Sequence, residues 1–320
     1  MNFLENSDND DNSFQQLIDI FNNQEEDKFR TKIEEFLQLI SIIADNHHRE
    51  ETFFTRIFQI IQNYKEKIEQ TFSNIELFNM FQNNKKILLY LFKNKIILID
   101  DQIYTEIVSK TDKNGNRFCH FFYPEIKEFH DHEEIIENIK KDILLINPNI
   151  FDHFEENREK GENDSYICSL FREDSVQEFI SYVNRSNIQL NSEVKCSIFE
   201  TNSFLNKHLH TTLIEYSAFF GSIQIFRFLL MNKVQLKPSL WLYSIHSNNA
   251  ELIHLLESYE ILPMNGMYNG CLIESIKCHH NAIAEYIDNN LLTKTGKQNS
   301  YILSNIMKYH NYSYFPYDRK

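Results

Sequence analysis

Apolar residues recur at three- and four-residue steps from about residue 25, a spacing that places them along one face of an α-helix. The first run consists of Phe29, Ile33, Phe36, Leu37 and Ile40, and the second of Phe54, Ile57, Phe58, Ile61, Tyr64 and Ile68. Charged residues occupy the opposite faces. The pattern predicts paired amphipathic helices within an α-helical region at residues 25–162, preceded by an acidic, disordered tail at residues 1–24.

One unit of sequence recurs in the second half of the chain: a short apolar helix, a tight turn and a second apolar helix. A small residue stands midway in each first helix, at Cys168, Ser217, Ser244 and Ser275. Thr212 and Ser239 are the expected N-caps, and Gly221 or Asn248 can take the left-handed conformation that ends a helix. No unit can bury its apolar stripe alone, so the repetition predicts that neighbouring units stack.

This pattern resembles the ankyrin repeat, whose consensus opens Thr-Pro-Leu-His-x-Ala-Ala-x-x-Gly and closes in a Glu-Ile-Val-x-Leu-Leu-Leu helix. In particular, it is similar to a divergent group of ankyrin proteins from unicellular protists that are known as repeat proteins of unknown function. The phrases that carry the resemblance are Asn202-Ser203-Phe204-Leu205, Phe219-Phe220-Gly221-Ser222-Ile223 and Pro238-Ser239-Leu240-Trp241-Leu242-Tyr243. The resemblance implies an all-α fold, with an ankyrin-type helical solenoid at residues 163–320 that ends in a helical cap at residues 301–308.

The chain departs from the ankyrin pattern in its spacing and in its turn residues. The ankyrin period is about 33 residues, whereas the small residues Ser217, Ser244 and Ser275 of successive first helices lie 27 and 31 residues apart. The Thr-Pro-Leu-His tetrad is missing throughout. Two questions stay open at this point. Residues 191–206 either hold a degenerate helix pair or do not. The repeats begin either near residue 163 or, in degenerate form, near residue 74, because residues 87–96 echo residues 225–234.

Composition and charge narrow the function classes. The chain has 27 Phe and 16 Tyr beside 6 Gly and 5 Pro, which favours helices joined by short turns. Residues 1–165 carry 19 Lys and Arg against 33 Asp and Glu, and residues 166–320 carry 13 of each. Nucleic acid is not an expected partner, because no basic face is available. No apolar run is long enough for membrane insertion.

The expected compartment follows from the cysteines and the amino terminus. Five cysteines are an odd number, and the first residues show no cleavable signal. Reduced, mostly buried thiols are therefore expected. We expect an intracellular, cytoplasmic protein, with the nucleus as the alternative.

The sequence lacks the motifs of common enzyme classes. It contains no glycine-rich phosphate loop, no Gly-x-Ser-x-Gly and no His-Glu-x-x-His. Two clusters contain residue types that bind metals. We interpret His130-Asp131-His132 with Glu133 and Glu134 as a solvated helix start. We interpret Cys271 with Cys278, His279 and His280 as turn residues. We expect no catalysis, no cofactor, no metal and no small-molecule substrate.

A binding groove is the functional prediction. In an ankyrin-type stack, the turn tips and the outward positions of the first helices line one concave surface, which here consists of Tyr216, Phe219, Phe220, Tyr243, His246, Ser247, Glu274 and Lys277. Tyr and Phe are enriched at protein interfaces, so we expect a protein-binding adaptor. The alternative is a structural or autoinhibited, self-associating assembly. Phe219 and Phe220 could instead pack between units, and Trp241 is expected in the core.

Overall fold

The structure, a computed structural model, describes residues 26–46, 51–110, 118–128, 132–208, 210–292 and 299–315. Within these ranges every regular element is helical and no strand occurs, so the all-α class is confirmed. One isolated antiparallel bridge joins Glu193 to Thr212. The acidic tail predicted at residues 1–24 lies outside the described residues, as do His130 and Asp131 of the first metal-like cluster.

Twenty α-helices are described, and they are numbered in chain order. The first ten are α1 (Glu26–Ala44), α2 (Glu51–Asn63), α3 (Lys65–Thr71), α4 (Asn74–Phe81), α5 (Lys85–Lys93), α6 (Asp101–Ser109), α7 (Phe118–Phe121), α8 (Tyr123–Ile126), α9 (Glu133–Ile146) and α10 (Phe154–Lys160). The others are α11 (Tyr166–Arg172), α12 (Val176–Ser186), α13 (Ser203–Lys207), α14 (Leu213–Phe220), α15 (Ile223–Met231), α16 (Leu240–His246), α17 (Ala250–Ser258), α18 (Asn269–Lys277), α19 (Asn281–Tyr286) and α20 (Asn299–Lys308).

The chain divides into two compact units. The first consists of residues 1–162 and 197–207, and the second of residues 163–196 and 208–320. The segment 197–207 belongs to the first unit for a local reason, because Thr201 donates its hydroxyl to the Gly161 carbonyl at 2.7 Å. The ring of Phe199 also packs edge-on against Phe154, with centroids 5.2 Å apart.

The first unit has a continuous apolar core built from the faces that the periodicity predicts. Ile33, Leu37 and Ile40 of α1 are buried in it together with Ile57 and Ile61 of α2. The single helix expected across residues 54–68 is two helices, α2 and α3, which break at Tyr64 but keep the same buried face.

A fully buried arginine sits in the core of the first unit. The Arg158 guanidinium donates to both carboxylate oxygens of Glu125 at 2.6 Å and to Glu155 at 2.7 Å. It also lies over the rings of Phe121 and Phe154, at 5.3 and 5.8 Å from their centroids. These contacts replace hydrogen bonds to water at the two terminal guanidinium nitrogens, whereas the buried Nε has no hydrogen-bond partner among the described residues.

The second unit is a row of helix pairs. The pairs are α11 with α12, α14 with α15, α16 with α17, and α18 with α19, and α20 follows them. Within each pair the two helices pack on each other, and each first helix also packs on the first helix of the next pair. Thr212 caps α14 in a reciprocal capping box with Glu215, as the sequence predicts for the N-cap.

The first helices end in the same way along the row. Asp174, Gly221, Asn248, His279 and His310 all have positive φ. At Gly221 the amide of the following residue, Ser222, bonds back to the Ser217 carbonyl at 2.9 Å, and the amide of His280 reaches Ser275 in the same manner at 3.0 Å. These bonds satisfy carbonyls that the helix end leaves free. The predicted left-handed conformations of Gly221 and Asn248 are confirmed.

Two local predictions for the repeats are wrong, and one of the open alternatives is excluded. Ser239 does not cap α16, because its backbone is helical and its hydroxyl donates to Glu215 instead. The left-handed residue Asp174 corresponds to Gly221. The position equivalent to Ser217, four residues earlier, is therefore Leu170 and not Cys168. Residues 191–206 do not hold a helix pair, since only α13 begins there, at Ser203.

No helix in the described part of the chain is both long enough and apolar enough to span a lipid bilayer.

Candidate functional site

The predicted groove residues lie on neighbouring first helices, but their rings are buried. Tyr216, Phe219, Phe220, Tyr243 and His246 each expose at most 9% of their surface. Ser247, Glu274 and Lys277 are half-buried. The prediction that these five rings face solvent in a groove is therefore wrong. A role for the eight residues in binding stays a prediction.

The rings are buried because they fill the space between successive first helices. Tyr216 of α14 packs edge-on against Phe171 of α11, with centroids 5.4 Å apart. Phe219 stacks on His246 of α16, also at 5.4 Å. Tyr243 hydrogen-bonds to the Thr211 hydroxyl at 3.0 Å, and burial raises the pKa of its phenol. The packing alternative considered for Phe219 and Phe220 fits this arrangement.

His246, Glu274 and Lys277 form a buried polar network that joins α16 to α18. The Nε2–H of His246 donates to Glu274 Oε1 at 2.7 Å, and the Lys277 ammonium donates to the same oxygen at 2.8 Å. Burial alone would raise the pKa of Glu274, but His246 and Lys277 lower it to about 2. Burial lowers the pKa of His246. The network thus brings the His246 imidazole and the Lys277 ammonium to the same carboxylate oxygen of Glu274.

Cys278 completes a group of metal-ligand types, but its geometry does not suit one ion. The ligand atoms of His246, Glu274 and Cys278 lie within 4.8 Å of one another. The Cys278 sulfur, however, is 3.6 Å from Nδ1 and 3.7 Å from Nε2 of the imidazole. A sulfur equally distant from both nitrogens lies over the ring face, away from the in-plane lone pair through which imidazole binds metals. Burial raises the pKa of the thiol well above its usual range, which leaves it unreactive.

We expect His279 to make the stability of the second unit depend on pH. Its Nε2–H donates to the Tyr309 carbonyl at 2.8 Å, and burial lowers its pKa to about 4. The unfolded chain binds this proton near pH 6.5, so stability is present above that pH and is lost as pH falls toward 4. We expect His279 to account for a loss of about 2 kcal/mol between pH 7 and 4.5.

The check is urea unfolding of the full chain at the same two pH values, monitored by the fluorescence of Trp241, the only tryptophan in the sequence. His279→Asn is the matched variant, because Asn tolerates the positive φ and does not titrate. It should lose about 2 kcal/mol less than the wild type between the two pH values. Equal losses in both proteins would show that His279 does not carry the effect.

A cleft of about 260 Å³ opens in the first unit between α2 and α5. Its wall is the stacked ring pair of Phe58 and Tyr90, whose centroids are 4.1 Å apart. The two lysines at the cleft are both engaged: Lys93 pairs with Glu159 at 2.6 Å, and Lys86 lies over the Phe54 ring. Both lysines are therefore held by protein groups.

A cluster of exposed apolar side chains lies on the loop between α17 and α18. Tyr259, Leu262, Met264 and Met267, here named the apolar loop, are 52%, 59%, 70% and 57% exposed. Single exposed apolar residues are common on protein surfaces, but several together mark an interaction site. Four such residues within nine positions of one connection make it a candidate interaction surface.

The apolar loop is held in place by the core. The indole N–H of Trp241 donates to the Ile261 carbonyl at 2.6 Å, and its ring packs edge-on against Tyr268, with centroids 5.0 Å apart. Pro263 is buried between these two anchors. The left-handed Asn265 and Gly266 then make the tight turn that ends with the Met267 amide bonded to Met264. The apolar side chains are thus presented by a fixed backbone.

This surface was not predicted from the sequence, although a signal was present. The segment Leu262-Pro263-Met264-Asn265-Gly266-Met267 combines turn residues with large apolar ones. Turn residues usually lie at the surface, so apolar residues among them are expected to face solvent.

Comparison of the chain with protein-family models, with curated proteins and with solved structures finds no match in any of the three. The resemblance to ankyrin repeats stays a proposal that rests on the residues and the helix pairs described above.

Proposed function

We propose that this chain is a non-catalytic protein-binding module, an adaptor whose second unit is an ankyrin-type helical solenoid. The observation that carries the proposal is the apolar loop, which holds four large apolar side chains in solvent on a fixed backbone. A rigid scaffold that presents a preformed apolar surface loses little conformational entropy on binding a partner. The proposed contact surface is this loop, and a role for the eight groove residues in binding stays a separate prediction.

Hydrogen bonds between successive helix pairs support the solenoid part of the proposal. The Asp174 carboxylate, at the joint of one pair, accepts from the amides of Gln224 and Ile225 in the next pair, both at 3.0 Å. Further along, the His280 ring donates to the Ile245 carbonyl at 2.8 Å. In a solenoid each repeat interacts with its neighbours, and stability comes from the intrinsic and interface terms together.

Helices α4 and α5 of the first unit support the idea of further degenerate repeats from about residue 74. Ser73 and Glu76 form the same reciprocal capping box as Thr212 and Glu215. At the end of α5, Lys95 has positive φ and the following amide bonds back to Leu91 at 2.9 Å, as happens after α15. We propose that α4 and α5 are a diverged copy of the α14–α15 pair.

The test is affinity capture from a lysate of the source cells with the full chain as bait. We expect Leu262→Ser/Met264→Ser to lose at least about 90% of each specifically retained protein, a change that corresponds to about 1.4 kcal/mol or more of binding free energy. Both side chains are exposed, so the variant should fold with unchanged circular dichroism.

Met307→Ser is the matched control, because Met307 is equally exposed, at 62%. It lies near Tyr309, which bonds to the turn after α18, at the opposite end of that helix from the apolar loop. We expect this control to retain the same proteins as the wild type. Equal retention by all three baits, with identity established by mass spectrometry, would contradict the proposal.

A further inference from the structure

We infer that the apolar loop binds a basic amphipathic segment of a partner protein, one that presents large apolar side chains on one side and Lys or Arg on the other. The inference rests on the proposed function and deepens it, since it names the chemistry of the partner for the same surface. It is carried by two features of the loop: the kind of apolar side chains that it exposes and the sign of the charge around it.

Methionine and leucine supply a surface that can adapt to a helical partner. Met264 and Met267 have unbranched, flexible and polarizable side chains, which fit irregular apolar partners. Leu262 and Tyr259 extend the exposed apolar group on the same connection. Amphipathic helices bind to such surfaces by inserting apolar residues spaced three and four positions apart.

The charged residues within the loop and in the last turn of the helix before it are acidic. No Lys or Arg occurs between Lys237 and Lys277, whereas Glu257 stands in the last turn of α17 and Glu260 lies within the loop. Glu260 directly follows Tyr259 at the exposed end of α17. Complementary charge speeds association and selects among partners, so an acidic rim selects a basic segment.

The same charge disfavours the other occupants of an apolar loop. A second copy of this chain, docked through the same loop, would place Glu260 near its own equivalent across a two-fold axis. An anionic membrane surface attracts basic segments, and the apolar loop is bordered by glutamates. Nucleic acid is disfavoured for the same reason.

The experiment measures the fluorescence anisotropy of a labelled 14-residue peptide of Leu and Lys, with leucines at helical spacing, titrated with the full chain. A peptide with Glu in every Lys position is the matched probe. We expect the Leu/Lys peptide to bind at least about tenfold more tightly than the Leu/Glu peptide at low salt. Leu262→Ser/Met264→Ser should lower the affinity for the Leu/Lys peptide at least about tenfold, and Glu260→Gln should lower it about two- to fivefold. Met307→Ser should leave the affinity unchanged.

Three outcomes would overturn the inference. The first is that the Leu/Lys peptide fails to bind. The second is that it binds equally to wild type and to Leu262→Ser/Met264→Ser, which would assign its binding to acidic residues elsewhere in the chain. The third is that the Leu/Glu peptide binds as well as the Leu/Lys peptide. In the last case, if Leu262→Ser/Met264→Ser weakens both peptides, the loop binds apolar segments of either charge. The proposed function then stands while the inference falls. If capture from lysate is also unaffected by that variant, both fall.

Discussion

Replacing Trp241 by Ala is expected to lower the free energy of unfolding of the second unit by about 3–5 kcal/mol. Trp241 is the largest side chain in the chain with no exposed surface. Its removal leaves a cavity between α16 and the loop, removes the edge-on contact with Tyr268 and leaves the Ile261 carbonyl without its indole donor. The expected cost therefore combines lost burial, a cavity and an unsatisfied carbonyl.

The measurement is urea unfolding followed by far-ultraviolet circular dichroism, since the variant has no tryptophan left. Trp241→Phe is the control, because it keeps an aromatic ring and loses the hydrogen bond, and we expect it to cost about 1–3 kcal/mol. We also expect Trp241→Ala to weaken binding at the apolar loop, because the indole anchors both ends of that segment. A loss below about 1 kcal/mol for Trp241→Ala would contradict the packing described here.

Replacing Arg158 by Ala is expected to destabilise the first unit by about 3–5 kcal/mol. The guanidinium is fully buried and satisfies Glu125, whose side chain is only 16% exposed. Without Arg158 the Glu125 carboxylate has no cation to offset its desolvation, and burial then raises the pKa of that carboxyl further. The rings of Phe121 and Phe154 also lose the cation that covers them.

Two further variants isolate the cause. Arg158→Ala/Glu125→Gln removes the unpaired charge as well, and we expect it to recover about 1–2 kcal/mol of the loss. Arg30→Ala removes an exposed arginine of the same unit, paired with Glu76, and should cost less than about 1 kcal/mol. If Arg158→Ala costs no more than Arg30→Ala in urea unfolding, the buried ion pair is not what stabilises this core.

Much of the fold could be predicted from the sequence because it depends on neighbouring residues. The helical period placed Ile33 and Ile57 on buried faces, and the N-cap at Thr212 and the left-handed Gly221 follow from the chemistry of those residue types. Trp241 was assigned to the core because it occupies an apolar slot of a repeat, and it is fully buried.

The candidate site could not be predicted to the same extent because exposure depends on distances between helices. Tyr216 and Phe219 stand at outward positions of α14, but α16 approaches closely enough for His246 to stack on Phe219. The apolar loop was missed for the opposite reason. Whether Leu262 faces solvent depends on the bond that Trp241 makes to Ile261, twenty residues along the chain.

The most direct test of protein binding through the apolar loop is photo-crosslinking at the loop itself. Leu262 is replaced by benzoylphenylalanine in the full chain, Met307 is replaced in a second chain, and both are irradiated in lysate of the source cells. We predict discrete protein adducts from position 262 that are absent from position 307 and that are competed by the Leu/Lys peptide. Identical adducts from both positions, or none from either, would contradict the assignment of the loop as the binding surface.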